Sequence, residues 1–346
     1  MVSGLHGYVF WLVWGLPRPP TNYAAGDYGG WATTLVANFF VGAGASAVTL
    51  FFVISGYVLK LSIDKSSEGS AFRTSIAFTI KRLFRIYPAV LAVIMAAAFL
   101  EPYLFISPTQ RSWSEILLNM SLASSTMDWP TWSIRVEILA VPAILLFWFT
   151  RKRFGCAGLI GLTAALAGLS FARSLYGEDM FGRYVFVFGL GMLIHDLPRS
   201  LSPSRALATL AALATIAAIF ARPVLSFHAQ SAILVEAICA TYLLTVLVHG
   251  GLPRSKALLG HRILRFLGRV SYSFYLIHFL VLLTIVRQVP GLISAVAFGN
   301  PYVAALLSWL SIVVISIPIA AVIYRWIELP GVNAGRIVAS MKQHTK

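Results

Sequence analysis

The chain has 346 residues, of which 58% are hydrophobic and only 11% are charged, and its formal net charge is +15. A soluble domain cannot keep that much apolar surface from water, so the composition predicts an all-α, polytopic membrane protein. The cations lie in short loops between apolar segments, as the positive-inside rule requires, which argues against a nucleic-acid partner. The two cysteines, Cys156 and Cys239, lie far apart without metal-ligand spacing, and we expect no metal site.

Ten membrane spans are predicted along the chain. The first covers residues 1–16, which at about 1.5 Å per residue reach about 24 Å, less than the roughly 30 Å hydrocarbon core. We therefore expect further residues before Met1, so that the first helix is truncated here. A Pro- and Gly-rich loop, 17–30, follows, and the segment 113–127 is expected to be interfacial or re-entrant. The other spans are predicted at about 36–60, 86–106, 131–150, 155–172, 183–197, 204–221, 229–249, 270–287 and 302–326.

The distribution of cations tests this layout. Most of the 27 Lys and Arg residues fall in one set of alternate loops and at the C-terminal end. Arg135 lies inside a span, and the opposite loops hold only Arg18, Arg111, Arg173, Arg183, Arg222 and Arg287. This asymmetry predicts that both termini are cytoplasmic. The longest predicted connections, 61–85 and 107–130, are too short to be domains, so we expect a single membrane-embedded domain, 1–346, with no soluble domain.

The segment 81–88, KRLFRIYP, places three cations within five residues beside a long apolar run. On a helix Arg82 and Arg85 are three positions apart and share a face, so two guanidiniums can converge on one anionic group. Charge alone favours the alternative, the ordinary positive flank of a membrane helix. The functional hypothesis is a cytosolic phosphate clamp formed by Lys81, Arg82 and Arg85.

Four further stretches follow the same order as in a known family. With 81–88 they are LFFVISGYVL (50–59), TWSIRVE (131–137), SYSFYLIH (271–278) and WIELP (326–330). Together they resemble the acyltransferase-3 family, polytopic membrane enzymes that acylate sugars and related hydroxyl compounds. Each stretch alone is a weak signal, but the five in order cover nearly the whole chain. Two positions depart from the family: the arginine about eleven positions before His6 has no counterpart, and Thr49 stands where aspartate is common.

The resemblance implies catalytic residues. His6 lies where the family's histidine is expected, and an imidazole with a reference pKa near 6.5 is suited to taking a proton from an attacking hydroxyl. Glu137 matches the glutamate of the Trp-Ser-x-x-x-Glu pattern, which implies acceptor binding or support of His6. A packed histidine and a structural carboxylate paired across helices are the alternatives. Arg135 is two positions from Glu137 and points elsewhere on a helix, so we do not expect these two to pair.

The resemblance also implies that acyl-CoA is bound by Lys81, Arg82 and Arg85, together with Tyr275 and His278. His278 would line the donor channel or orient a helix. We interpret Glu236, which has no motif around it, as a buried structural carboxylate.

Two further positions are interpreted from local sequence. Ser55 is a small residue for close packing, because no Gly-x-Ser-x-Gly elbow surrounds it. Pro330 is expected to end the last helix, with Glu328 paired to a cytosolic arginine.

The sequence therefore predicts a membrane O-acyltransferase, an enzyme that transfers groups other than aminoacyl groups. The expected donor is cytosolic acyl-CoA, chiefly acetyl-CoA, acting as a co-substrate rather than a bound cofactor. The expected acceptor is a sugar hydroxyl of a surface or secreted polysaccharide or of a lipid-linked precursor, at the cell inner (plasma) membrane. A small secreted metabolite as acceptor, a covalent intermediate and the oligomeric state are left open. The alternative is a transporter or a lipid or glycan scramblase, which the lack of internal repeats disfavours.

Overall fold

The computed structural model describes residues 31–65, 70–104, 111–172, 180–197, 205–224, 229–249, 253–288 and 301–344. Helices joined by turns account for these residues, and no strand occurs among them. The prediction of an all-α fold is therefore confirmed. The predicted first span, 1–16, and the loop 17–30 lie outside the described residues.

The helices follow one another in chain order, and a π-helical turn interrupts the last two. They are α1 (Trp31–Asp64), α2 (Ala71–Leu104), α3 (Trp113–Met120), α4 (Thr131–Leu169), α5 (Met180–Leu193), α6 (Arg205–Val224), α7 (Ala229–Val248), α8 (Pro253–Leu259), α9 (Arg262–Gln288), α10 (Pro301–Ile323), the π turn (Tyr324–Glu328) and α11 (Leu329–His344).

Within the described residues, 6 helical segments are long and apolar enough to cross a membrane. They are Ser46–Asp64, Ala71–Leu100, Thr131–Leu169, Gln230–Val248, Arg262–Ile285 and Leu306–Met341. Two shorter apolar helical segments are Met180–Leu193 and Ala208–Ala218. The chain is thus a multi-pass membrane protein, whereas the total of ten spans and the cytoplasmic termini stay predictions.

Helix α4 contains a break at Gly155. Its 39 residues would extend for about 58 Å at 1.5 Å each, about twice the hydrocarbon thickness. At Gly155 the backbone has φ 70° and ψ −162°, a conformation that glycine adopts without steric cost. The break coincides with the boundary predicted between the spans 131–150 and 155–172.

The predicted connection 61–85 is mostly helical. Helix α1 continues to Asp64 and α2 begins at Ala71, so the basic segment 81–88 lies inside a continuous helix. Hydropathy marks where an apolar run begins, but a helix begins where its backbone hydrogen bonds begin. No Gly or Pro occurs between Ala71 and Tyr87 to interrupt those bonds, so most of this connection between predicted spans is helix.

Pro330 does not end the last helix, contrary to the prediction. The π turn precedes it, with the Leu329 N–H donating to the Tyr324 carbonyl, and α11 then continues to His344. A proline ring normally clashes with the carbonyl four residues earlier. The wider π turn relieves that constraint, and such adjustments are how membrane helices tolerate proline.

The chain divides into two compact units. Unit 1 comprises Met1–Ala45, Leu83–Ile134 and Phe266–Gly335, and unit 2 comprises Ser46–Arg82, Arg135–Arg265 and Arg336–Lys346. In unit 2, α1 and α5 approach through glycines. A Cβ on Gly56 would collide with the Phe188 carbonyl, and one on Gly191 with the Val53 carbonyl. Gly56 thus allows the close backbone approach that small residues provide, whereas the neighbouring Ser55, interpreted as a packing residue, also donates a hydrogen bond to Glu137.

Candidate active site

Glu137 is the centre of a buried polar cluster in unit 2. Its Oε1 accepts a hydrogen bond from the Arg82 Nη2 at 2.5 Å and another from the Ser55 Oγ at 2.9 Å. The three side chains come from α4, α2 and α1, and the Arg82 and Glu137 side chains are only 7% and 4% exposed. The cluster therefore fixes one carboxylate by a charged and a neutral donor.

Burial makes this ion pair sensitive to the loss of either partner. Taking a carboxylate and a guanidinium out of water costs several kcal/mol each, and only their mutual attraction offsets that cost. Among the residues that the structure describes, the Arg82 Nε has no hydrogen-bond partner, and Glu137 is the carboxylate that forms an ion pair with this guanidinium. Arg135 is exposed, and the ion pair is with Arg82 instead, as expected from the two-residue spacing.

The three cations of the predicted phosphate clamp differ in their surroundings. Arg82 is buried against Glu137, Lys81 is half-buried, and Arg85 is exposed. Helical spacing showed that Arg82 and Arg85 share a face, but it could not show that one of them has a carboxylate partner on another helix. The binding of acyl-CoA by these three residues stays a prediction.

A second buried carboxylate in unit 2 is held by hydroxyls. The Ser46 Oγ donates to the Glu236 Oε1 at 2.7 Å, and the Thr49 Oγ1 donates to the Oε2 at 3.2 Å. Both donors lie on α1 and the carboxylate lies on α7. Thr49, the position that departs from the family pattern, thus uses its hydroxyl to bind the carboxylate of Glu236. These bonds fit the interpretation of Glu236 as a buried carboxylate with structural partners.

In unit 1, helix α9 is hydrogen-bonded to three other segments through three closely spaced polar side chains. The Tyr272 hydroxyl donates to the Ile86 carbonyl of α2 at 2.9 Å, and the Ser273 Oγ donates to the Glu328 Oε2 of the π turn at 2.7 Å. The Tyr275 hydroxyl donates to the Pro130 carbonyl at 2.9 Å. Within unit 1, the stretch 271–278 is therefore hydrogen-bonded to α2, to the π turn and to the segment that precedes α4.

Tyr275 also links two of the recognised stretches. Its hydroxyl accepts a hydrogen bond from the Ser133 Oγ at 2.8 Å, and Ser133 belongs to the stretch 131–137. Tyr275 itself is half-buried. Its two hydrogen bonds fix the turn that leads into α4, while its predicted contact with acyl-CoA stays a prediction.

His278 is fully buried in unit 1. Its Nδ1 lies 2.6 Å from the Tyr275 carbonyl, and its ring stacks on Phe274 with centroids 5.8 Å apart and an angle of 7° between the planes. A carbonyl can only accept, so the Nδ1 carries the proton. Both contacts lie within α9 itself, and the donor-channel and helix-orienting roles stay predictions.

Glu328 was expected to pair with an arginine. It accepts the hydrogen bond from Ser273 and interacts electrostatically with Arg85, although no ion pair to Glu328 within contact distance occurs in the part of the chain that the structure describes. The π turn keeps this residue inside a continuous helix, and its buried carboxylate is hydrogen-bonded by a neighbouring hydroxyl.

Asp128 is a residue that the sequence reasoning missed. It is fully buried, neither carboxyl oxygen has a hydrogen-bond partner within the described part of the chain, and burial raises its pKa well above the usual range. Its backbone is held firmly, since its carbonyl accepts from the Thr131 N–H at 3.0 Å and from the Thr131 Oγ1 at 2.6 Å. The raised pKa favours the neutral acid. A lone acid before Trp129-Pro130 has no periodic pattern that would have revealed this burial.

His6 lies outside the described residues, so the geometry of the predicted catalytic base is not part of this site. Among the residues that the structure does describe, no group of three or more His, Cys, Asp or Glu side chains could hold a metal ion. The described part of unit 2 contributes a fixed carboxylate, Glu137, with hydroxyl and guanidinium neighbours.

Comparison with protein families agrees with the motifs. The profile of an acyltransferase domain matches residues 21–325. The chain belongs to the acyltransferase-3 family. It is therefore a membrane-embedded acyltransferase of the class that moves groups other than aminoacyl groups, and the match contains the stretches 50–59, 81–88, 131–137 and 271–278. Comparison of the sequence with curated proteins and with solved structures finds no match.

Proposed function

We propose that this acyltransferase-3 protein moves an acetyl group from acetyl-CoA on the cytosolic side to a hydroxyl of a sugar. The acceptor is a surface or secreted polysaccharide or its lipid-linked precursor, and the membrane is the inner (plasma) membrane. The observation that supports this proposal is the Glu137 carboxylate, held by Arg82 and Ser55 inside a candidate span of a family acyltransferase. Ionisable groups inside a membrane are costly and are usually kept for function.

In the proposed reaction, His6 accepts the proton of the acceptor hydroxyl while the hydroxyl oxygen attacks the thioester carbonyl carbon. A carbon–oxygen bond forms and the carbon–sulfur bond breaks. The proton on the imidazolium then passes to the departing thiolate, which leaves as the free thiol of CoA. Histidine suits this step because its reference pKa, near 6.5, lies close to the working pH. Glu137 binds the acceptor or supports His6.

The phosphates of acyl-CoA are assigned to the cations of 81–88, which contribute unequally to phosphate binding. Arg82 already balances Glu137, whereas Arg85 is exposed and Lys81 is half-buried. Arg85 therefore contributes most of the phosphate binding, and Arg82 contributes chiefly through the position of Glu137. Tyr275 and His278 are assigned to the acyl-CoA path.

The experiment uses the purified full chain in lipid nanodiscs with acetyl-CoA and a panel of hydroxyl acceptors. Release of the CoA thiol, followed with a thiol reagent, should depend on the acceptor and should be lost in Glu137→Gln. The exposed-site variant Asp64→Asn serves as a control that keeps its activity. A transporter or scramblase leaves the thioester intact, and that result would reject the proposal. A radiolabelled acetyl group on the denatured protein would reveal an acyl-enzyme.

A further inference from the structure

The segment 253–265 in unit 2 is an ordered surface element that the acyl-transfer proposal does not use. It comprises α8, a turn at Gly260-His261 and the start of α9. The Gly260 N–H donates to the Lys256 carbonyl at 3.0 Å, and the Arg265 N–H donates to the His261 carbonyl at 3.0 Å. The turn joining the two helices is thus fixed by backbone hydrogen bonds.

This segment is almost entirely exposed. No residue of α8 is buried, and Leu258, Leu259 and Ile263 are 65%, 55% and 56% exposed. Apolar surface that is removed from water stabilises a structure by about 25 cal/mol per Å². These three large side chains forgo that stabilisation if they are left in water. Their exposure is unfavourable for a segment that projects into the cytosol and favourable for one that lies in a lipid interface.

The same segment is strongly basic. Arg254, Lys256, Arg262 and Arg265 are all exposed, and the sequence contains no Asp or Glu between Glu236 and Glu328. None of the four takes part in an ion pair among the residues that the structure describes. Arg262 and Arg265 are three apart on α9, so both guanidiniums can reach one phosphate.

The segment leads directly into a candidate span, Arg262–Ile285. A cluster of four cations at the start of a membrane helix is attracted to anionic lipid headgroups. Interspersed apolar side chains bury themselves at the boundary between headgroups and acyl chains. A soluble phosphate ligand would account for the cations but not for the exposed leucines and isoleucine. Together the two features favour a lipid surface.

We propose that residues 253–265 form a binding site for anionic phospholipid headgroups, lying in the plane of the membrane surface. The cations Arg254, Lys256, Arg262 and Arg265 bind the phosphates, and Leu258, Leu259 and Ile263 insert beside the acyl chains. This proposal does not depend on the acyl donor or acceptor, and its test measures lipid binding.

The test compares the wild type with a patch variant, R254Q/K256Q/R262Q/R265Q. A matched control, K65Q/R73Q/K152Q/R153Q, removes four other exposed cations of unit 2. Each protein is placed in nanodiscs of phosphatidylcholine with or without phosphatidylglycerol, and retained phosphatidylglycerol is counted by native mass spectrometry. We expect the patch variant to lose on the order of several hundredfold in affinity, because each of its four surface cations contributes on the order of a fivefold factor. Salt should weaken binding in the wild type.

A second variant, L258S/L259S/I263S, keeps the cations and should lower the affinity in a way that salt does not change. Thermal unfolding in phosphatidylcholine discs checks that each variant is folded, which is expected because the replaced side chains are exposed. Equal affinity of wild type and patch variant overturns the proposal, as does an equal loss in the control. CoA binding is also measured in phosphatidylcholine discs. If only the patch variant loses CoA binding while its retention of phosphatidylglycerol is unchanged, the cations bind a soluble ligand and the proposal is overturned.

Discussion

Arg82 and Glu137, 55 positions apart in sequence, form a buried ion pair across 2.5 Å. The pair unites two stretches that sequence analysis had assigned to different tasks, phosphate binding and catalysis. Its existence means that replacing Arg82 tests the position of Glu137 as well as any contact with the donor. Variants at these two positions must therefore be interpreted together.

The ion pair should show strong coupling. Arg82→Met or Glu137→Leu alone leaves an uncompensated buried charge and should lower the free energy of unfolding by about 3–5 kcal/mol. The double variant should lose much less than the sum. Thermal or denaturant unfolding in detergent, analysed as a double-mutant cycle, measures the coupling. Additive losses would mean that the pair contributes little to stability.

His6→Ala should abolish acyl transfer while expression and membrane insertion stay near normal, because the imidazole is the proposed base. The measurement is release of the CoA thiol by the purified variant. His261→Ala, which replaces an exposed histidine, is the control and should retain activity. Transfer by His6→Ala at the wild-type rate would remove His6 from the mechanism.

Arg85→Gln should raise the KM for acetyl-CoA with little change in kcat. A charge-assisted hydrogen bond contributes about 1.5–3 kcal/mol, which corresponds to roughly a tenfold to hundredfold rise. Added salt should raise the wild-type KM in the same direction. Arg73→Gln removes another exposed cation from α2 and should leave the KM unchanged. An unaltered KM in Arg85→Gln would show that the segment only sets topology.

Gly56→Ala should destabilise the protein by several kcal/mol, because its Cβ would meet the backbone of Phe188 and force α1 and α5 apart. Gly161→Ala is the matched control on α4, where a Cβ would meet no atom of the described residues within 4 Å. That substitution should be neutral or stabilising by up to about 1 kcal/mol, since alanine favours the helix. Melting temperatures in detergent distinguish the two, and equal effects would contradict the backbone contact.

The contributions of Asp128 and Asp196 to the stability of the fold should depend on pH in opposite directions. Burial raises the pKa of Asp128, so folding is penalised increasingly as the pH rises above the unfolded value of about 4. Asp128→Asn should therefore stabilise the protein most at neutral pH. Melting temperatures measured between acid and neutral pH test this, and a difference that does not change with pH would contradict the neutral acid.

For Asp196, burial opposes ionisation, but two hydrogen bonds from Arg151, at 2.8 and 2.7 Å, and its charge more than offset this and lower the pKa. The ionised carboxylate contributes stability above the unfolded value of about 4, and that contribution is lost as the pH falls through the folded pKa. Asp196→Asn should therefore destabilise the protein at neutral pH and have less effect in acid. The same pH series measures it.

The sequence was sufficient for features that are local or compositional. Apolar runs predicted membrane helices, and Gly155 lies where a boundary between spans was predicted. Partners across helices were not predictable in this way. Helical spacing shows that Arg82 and Arg85 lie on the same face of a helix, but nothing in the spacing identifies Glu137 as the ion-pair partner of Arg82. The prediction that Pro330 ends the last helix was wrong for a related reason, because the effect of a proline depends on the turn that precedes it.

The π turn before Pro330 also changes how the end of the chain must be counted. One extra residue per turn rotates everything after Glu328 by about 100° about the helix axis. That rotation accompanies the close approach of Gly331 to α2, where an added Cβ would lie 2.7 Å from the Phe84 carbonyl and 2.8 Å from the Pro88 Cγ. A helical wheel drawn without a break from Pro301 to His344 therefore assigns the wrong face to residues of α11. Cross-linking or labelling sites on α11 should be chosen from a wheel restarted at Leu329.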